Sequence, residues 1–491
     1  MVGVYLTRVH DLAGFPQRQP FQQQLYRIGE SADMTVLRRP FPAFVFAVLA
    51  GLLLLSCAEK TVQAPATPSE PVAVVIDGAQ VWDGTGAPPV QDTVVVIKGD
   101  RIDAIGARGS VTIPVNARTV DGKGKTIIPG LINMHGHVGM TKGLKQGKEN
   151  YTKENILAQL KQYARYGVTT VMSLGTDFEA MFELRGPAKA DESPRAGVFT
   201  AGRGFTGKNG YPAVLPGNAG LPVEVDTVDE VKAHIQELAR QKVDMVKIWV
   251  DDHWGHYAKI RPELYKAIIE EAHKNNLRVM AHLFYLGDAK GLVGAGLDGM
   301  AHSVRDREVD DELIKTLKEK NSFAVATLTR EESTFIYAEP PAFLDDPFFS
   351  RWADPEVIKA LKDPAWGKKV KSDPDFPKYA GQLKMGQKNL KKLFDAGVKL
   401  AFGTDTGPPA RFQGFFEHRE LELMVQAGLT AAQALKIATL GSAECLRAEN
   451  EIGTLEKGKR ADLIVLDADP LENILNTRKI NQVWIGGREV N

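Results

Sequence analysis

Eight short apolar runs of β-like composition recur along the middle of this chain, and stretches of helical period lie between most of them. The runs are Ile127–Met134, Val168–Leu174, Gly197–Ala201, Val243–Val250, Leu277–Leu283, Gly299–Ser303, Phe323–Leu328 and Val398–Thr404. Amphipathic stretches include Glu154–Tyr166, Thr227–Gln241, Pro262–Asn275 and Asp310–Lys320. A strand that is apolar on both faces must be covered on both faces, and alternation with helices supplies that cover. Eight such units suit an α/β fold of the (β/α)8 TIM-barrel type. A doubly wound open sheet is the competing architecture, but no Gly-rich dinucleotide fingerprint follows the first run.

Both ends have a different texture. Residues 72–128 hold short β-branched runs cut by Gly and Asp, such as Thr93-Val-Val-Val-Ile97, and the C-terminus repeats the pattern at Ala461–Asp467 and Gln482–Gly487. The expectation is a small β-sandwich composite domain formed from both ends of the mature chain, residues 72–128 and 448–491, flanking a barrel over 129–447. Residues 41–55 carry no charge and follow Arg38 and Arg39. This run falls short of the roughly 20 apolar residues a membrane span needs, and it has the form of a secretory signal. It ends Leu54-Leu55-Ser56-Cys57, which resembles a bacterial lipobox. That resemblance implies a signal peptide over 34–56, lipidation of Cys57, a Pro-rich tether over 57–71, and export to the cell envelope with a lipid anchor in the membrane. Residues 1–33, upstream of Met34, are expected to be a mis-called start without structure.

The 61 Lys+Arg balance 61 Asp+Glu, and a chain without a basic excess is a poor partner for nucleic acid. Two cysteines exclude a disulfide scaffold and a Cys-rich metal cluster, and Cys445 reads as a packed thiol. The ten histidines matter through their positions. His135 and His137 lie in Asn133-Met-His-Gly-His137, and an i, i+2 pair on a strand points to one face, where two imidazoles can reach one metal ion. Lys247 lies in Val243-Asp-Met-Val-Lys-Ile-Trp-Val250. Period two puts it on a face with Met245 and Trp249, so an ammonium is buried in an apolar strand at high cost unless it is paired or chemically altered. His282, His302 and Asp405 close later apolar runs, and in (β/α)8 enzymes the carboxyl ends of the strands face the active site. Six such residues on strands one, four, five, six and eight are hard to explain as core.

With these residues in place, the chain from about Val72 to Asn491 resembles the metal-dependent amidohydrolase superfamily, in the subgroup of imidazolonepropionase-like and Xaa-Pro dipeptidase-like enzymes. The resemblance rests on Ile127-Ile-Pro-Gly-Leu-Ile-Asn-Met-His-Gly-His137 and on Ile452-Gly-Thr-Leu-Glu-Lys-Gly-Lys-Arg-Ala-Asp-Leu-Ile-Val-Leu-Asp-Ala-Asp-Pro470. It implies two divalent ions, with Zn2+ suiting such ligands. His135, His137 and Asp405 would hold one ion, His282 and His302 the other, and a carboxylated Lys247 would bridge them. It implies hydrolysis of a carbon–nitrogen bond in a small-molecule substrate, such as a dipeptide, an N-acyl amino acid or a cyclic amide, by a hydroxide activated between two metals. Asp405 would serve as general base and then acid. A lactone or phosphate-ester hydrolase on the same site is the alternative, and a non-catalytic binding lipoprotein is a second.

The chain departs from the subgroup where substrate would sit: the second strand reads Val171-Met-Ser-Leu, and the loop after the third reads Asn209-Gly-Tyr-Pro212. Tyr211, His253, His256, Tyr257 and Arg330 are the expected substrate contacts. The spacing from His302 to Asp405 is too long for two βα steps and places an insertion at about 330–384, rich in Phe, Tyr and Trp. It is expected to be either a lid or pocket wall over the site or a solvated helical excursion with its own small core. His234 and His273 are expected at the surface, and His418 has no evident role.

Overall fold

The computed structural model describes residues 72–490, which belong to one compact unit, Pro68–Asn491. The expectations for 1–33, the signal over 34–56, lipidated Cys57 and the tether to residue 71 lie outside the described residues.

Strands from both ends of the described chain share one eight-stranded sheet. Thr126–Pro129 pairs antiparallel with Leu463–Leu466, setting Ile128 against Ile464, and this ladder is where the two ends meet. Period-two alternation sorts Val90–Lys98 onto two faces. Val95 and Ile97 pack with Ile76, Ile127, Leu463 and Trp484, while Val94 and Val96 pack with Val75 on the other side.

The first apolar run, continuous in the sequence, is therefore split in the structure. Thr126–Pro129 serves the end sheet, and a new strand starts at Leu131. Gly130 makes the crossing possible, because a Cβ there would lie 2.2 Å from the Thr169 side chain.

Parallel strands come next, and eight of them fall on the apolar runs: β1 (Leu131–Gly136), β2 (Val168–Ser173), β3 (Gly197–Thr200), β4 (Met245–Val250), β5 (Arg278–Leu283), β6 (Gly299–Ala301), β7 (Phe323–Val325) and β8 (Lys399–Ala401). β3, β2 and β1 form one sheet, and β4 to β8 lie in chain order in a second, which two short parallel strands, Phe205–Gly207 and Val223–Val225, extend beyond β4. Backbone hydrogen bonds also run from Met134 N to Phe402 O at 2.8 Å, from His137 N to Thr406 O at 2.7 Å, and from Asp244 N to Thr200 O at 2.8 Å. They tie β1 to the chain beyond β8, and β3 to the approach of β4.

The two faces of these strands have separate cores. Met245 packs with Ile132, Met134, Met172, Met280 and Phe323, in a cluster drawn mostly from the strands themselves. Val246, Ile248 and Val250 pack instead with Val231, Ile235, Ile268 and Ile269 of the covering helices. Helix Val228–Arg240 shows how the cover is specified. Thr227 and Glu230 form a capping box, and Val231, Ile235 and Leu238 are buried at i, i+4 and i+7. Full burial of each such side chain contributes about 1.5–3 kcal/mol.

The insertion between β7 and β8 is helical, with elements that include Leu328–Ser333, Pro355–Lys362, Pro364–Lys371 and Phe376–Asp395. The last of these runs on toward β8 without interruption, so nothing in the fold ends at residue 384. Most of its aromatics pack on one another: Tyr337 and Phe349, with Phe343, Phe348 and Trp352, gather against Tyr166, Phe415 and Phe416. The excursion has its own core.

Candidate metal centre

The strand register brings the six expected residues to one end of the parallel set. His135 lies in β1 with His137 just beyond it, Lys247 in β4 and His282 in β5; His302 follows β6, and Asp405 follows β8. His137 Nε2 lies 2.9 Å from Asp405 Oδ1, and His135 Nε2 lies 3.4 Å from the same oxygen. Lys247 Nζ is 3.3 Å from His135 Nε2. The His302 ring centroid is 4.6 Å from that of His135 and 4.5 Å from that of His282. His135, His137 and Asp405 each offer a ligand atom, all within 4.8 Å of one another, a group that could hold a metal ion. His282 and His302 stand outside that tight group but line the same cavity, with Tyr211, Trp249 and Arg411.

Neighbouring side chains fix which ring nitrogens are spoken for. Thr176 Oγ1 is 3.1 Å from His137 Nδ1, Asp251 Oδ2 is 2.8 Å from His282 Nε2, and Thr327 Oγ1 is 2.6 Å from His302 Nδ1. These contacts leave His282 Nδ1 and His302 Nε2 for other partners, while His137 Nε2 faces Asp405. Such outer partners orient a ligating imidazole and set its tautomer. His135 Nδ1 is buried without a hydrogen bond. His302 (φ 82°) and Asp405 (φ 57°) adopt left-handed backbone, which costs on the order of 1–3 kcal/mol for a non-glycine residue and recurs at functional sites.

The electrostatics match that geometry. Burial pushes His282 down to about 3 and lowers His135 and His302 well below the usual imidazole range, so these rings are neutral near pH 7. Neutral imidazole is the ligating form. Burial also pushes Lys247 down to about 7, against the opposing pull of Asp405. The Asp405 carboxyl feels a burial penalty of its own, yet Arg411, His135 and His137 hold it well below the usual carboxylate range. Arg411 forms an ion pair with its Oδ2. Buried neutral imidazoles, an ionised carboxylate and a lysine lacking an ion-pair partner among the described residues are a donor set that fits divalent ions.

The expected substrate contacts divide. Tyr211 lines the first cavity and a second one beside it, and His253 and Arg330 line the second. His256 and Tyr257 line neither cavity. The His256 side chain is 62 % exposed and faces Asp375 at 3.6 Å, while Tyr257 stacks edge-on to His253. From the insertion, Thr334, Tyr379 and Gln382 reach the second cavity, so the excursion contributes a short piece of wall as well as a core. His234 is half-buried rather than on the surface, with Nε2 at 2.8 Å from Arg203 O. His418 is buried between Thr477 Oγ1 and Tyr166 O. Cys445 is buried as expected, and burial pushes its thiol up to about 12.

Several polar residues of the site were missed from the sequence. Asp251 directly follows β4, and that position was its only signal. Arg411 lies in the turn after Asp405. Arg305 and Glu331 form a fully buried ion pair at 3.1 Å, shared by Arg330 at 2.9 Å. In the divergent second strand, Ser173 Oγ donates to Asp177 Oδ1 at 2.6 Å.

Fold and site together define a class: a mixed α/β protein with a buried imidazole–carboxylate cluster at the carboxyl ends of its parallel strands. Residues 126–490 match the amidohydrolase family, and the chain belongs to that metal-dependent family. It is 26% identical over 419 residues to an imidazolonepropionase of Streptomyces avermitilis, covering 83% of this chain and 90% of that protein. It is 26% identical over 351 residues to an ochratoxinase of Aspergillus niger, which is 68% of this chain but only 65% of that relative's length. The solved structure of a Xaa-Pro dipeptidase with bound methionine shares the fold, with a TM-score of 0.68 at 22% identity over 85% of this chain and 99% of that one.

Proposed function

We propose that this chain is a metal-dependent hydrolase of carbon–nitrogen bonds in small molecules, of the kind presented by dipeptides, N-acyl amino acids or cyclic amides. His135, His137 and Asp405 would hold one divalent ion, His282 and His302 a second, and Lys247, carboxylated at Nζ, would lie between them. The observation that carries this reading is Lys247. It is 0% exposed, its ammonium faces His135 Nε2 rather than a carboxylate, and all the other candidate ligands surround the same cavity. Bound there, the ions supply Lewis acidity, lowering the pKa of water and polarising the carbonyl under attack.

The chain's own groups do the rest. With Lys247 pushed down to about 7 by burial, a large share of its amine is neutral near pH 7 and can add to CO2 with loss of one proton to give a carbamate. Asp405, kept ionised by Arg411, accepts the proton of the attacking water and returns it to the leaving nitrogen. Tyr211, held protonated by burial, is a hydrogen-bond donor in the wall shared by the two cavities. The same reading takes β1–β8 as a (β/α)8 barrel, with the sheet built from both ends as its companion domain. It also takes Cys57 as a lipid attachment point that tethers the enzyme to the cell envelope.

The test is chemical rescue. Lys247→Ala is expected to lose metal and hydrolysis of an N-acyl amino acid or dipeptide panel, with both partly restored by added short-chain carboxylic acids. Full metal content and activity in Lys247→Ala would show that the residue does not bridge ions.

A further inference from the structure

Helix Phe415–Gln426 carries two glutamates, Glu417 and Glu420, that its amphipathic pattern does not explain. Both are essentially fully buried, at 0% and 1% exposure, and neither has an ion-pair partner among the described residues. Each instead collects hydrogen bonds from chain segments that carry candidate ligands.

Glu417 Oε1 accepts from Asn133 Nδ2 at 2.6 Å, Thr404 Oγ1 at 2.8 Å and Thr406 Oγ1 at 2.9 Å, and Oε2 accepts from Gly414 N at 2.6 Å. Thr404 and Thr406 flank Asp405. Asn133 reaches the next ligand directly, because its Oδ1 accepts from His135 N at 2.9 Å. One carboxylate thus joins β1 to the turn beyond β8, and with them His135 to Asp405.

Glu420 grips the turn after β7. Its Oε1 accepts from Leu328 N at 2.7 Å, and its Oε2 accepts from Thr329 N and Thr329 Oγ1, both at 2.7 Å. That turn begins at Thr327, in left-handed backbone (φ 49°), and Thr327 Oγ1 holds His302 Nδ1. Fixing Leu328 and Thr329 fixes where the Thr327 hydroxyl points.

We infer that Glu417 and Glu420 are positioning residues, one for each half of the ligand cluster: Glu417 sets the His135–Asp405 half, and Glu420 sets the His302 half through Thr327. This inference rests on the metal reading above. Glutamine is the informative substitution at both positions. Both oxygens of Glu420 face backbone N–H groups, so a glutamine there must turn its NH2 toward one of them, and a glutamine at 417 must turn its NH2 toward either Gly414 N or the Asn133 amide. Thr406→Val and Thr329→Val remove one donor each and perturb the fold less.

Two measurements test the assignment. The first is Zn2+ binding by equilibrium dialysis. Glu417→Gln and Glu420→Gln should each weaken one ion by about 10–100-fold while keeping the other, the usual effect of losing an outer partner. Thr406→Val and Thr329→Val should follow in the same order. Combined with His137→Ala, Glu417→Gln should add nothing further, whereas Glu420→Gln should weaken the remaining ion by about 10–100-fold. Folded variants that all bind two ions at wild-type affinity overturn the inference.

The second uses 15N-histidine spectra of the metal-free protein. Glu417→Gln should move the ring signals of His135 and His137, and Glu420→Gln those of His302. Shifts without that selectivity overturn it. Wild-type protein that takes up fewer than two ions refutes the two-ion reading instead, and the ring signals then decide the positioning roles alone.

Discussion

Lys247→Met in metal-free protein should stabilise the fold that it inactivates. Lys247 is fully buried, and burial moves its ammonium from an ordinary 10.5 to about 7. One pH unit of such a change corresponds to about 1.4 kcal/mol, so the ammonium costs the folded state on the order of 4–5 kcal/mol where both states are protonated. The sign follows from the direction. The depressed pKa means that the unfolded chain binds the proton more tightly, so the cost is fully present below about pH 7. It fades as pH rises toward 10.5. Methionine has similar length and would join the neighbouring Met245 and Met280, with a repacking penalty of about 1 kcal/mol. The net expectation at pH 7 is a gain of roughly 3 kcal/mol. The assay is urea unfolding of chelator-treated wild type and variant from pH 6 to pH 10, with metal content measured in parallel. The variant should be more stable at pH 7, the difference should shrink by pH 10, and bound metal should be lost. A metal-free Lys247→Met protein that is less stable than wild type at pH 7, or a difference that ignores pH, would refute the reasoning.

Other outcomes are equally specific. Asp251→Asn should loosen His282 and lower metal affinity by about 10–100-fold with little change in unfolding midpoint, checked by competition with a chelating dye. Glu331→Ala should strand Arg305 as an uncompensated buried charge and cost about 3–5 kcal/mol, read by chemical denaturation. His418 is held neutral by burial, with its pKa pushed down to about 3, so the unfolded state alone takes its proton as pH falls below 6.5. Its contribution is complete above that value and is lost at about 1.4 kcal/mol per pH unit below it. His418→Gln should remove about one proton's worth of slope from stability between pH 6 and 4, and an unchanged slope would show that His418 is not the group responsible.

The residues legible in the sequence were those that lie along a single strand. His135, His137, Lys247, His282, His302 and Asp405 each sit on or just beyond an apolar run, so the run locates them and the strand order gathers them. The eight runs themselves were visible because both faces of each strand are buried. The residues hidden in the sequence depend on partners far away in the chain. Glu417, His418 and Glu420 look like the wet face of an amphipathic helix, and only the hydrogen bonds from Asn133, Thr404 and Leu328 to the glutamates, and from His418 to the Tyr166 carbonyl, explain why they point inward. His234 was misplaced for the same reason, because its partner is a backbone carbonyl at Arg203. The aromatic wealth of the insertion was plain, but composition alone does not distinguish a core from a cavity wall, and the structure divides those residues between the two. The first strand was overextended because Ile127-Ile128-Pro129 is as apolar as Leu131-Ile132, and the break at Gly130 comes from crowding by Thr169.

The most direct measurement is metal content of the purified protein by elemental analysis, taken together with release of free amine from a panel of N-acyl amino acids and dipeptides. About two divalent ions per chain, with amine release that stops on chelation and returns with Zn2+ and bicarbonate, is the expected result. Protein that stays metal-free and inactive after both are supplied would contradict the proposed function.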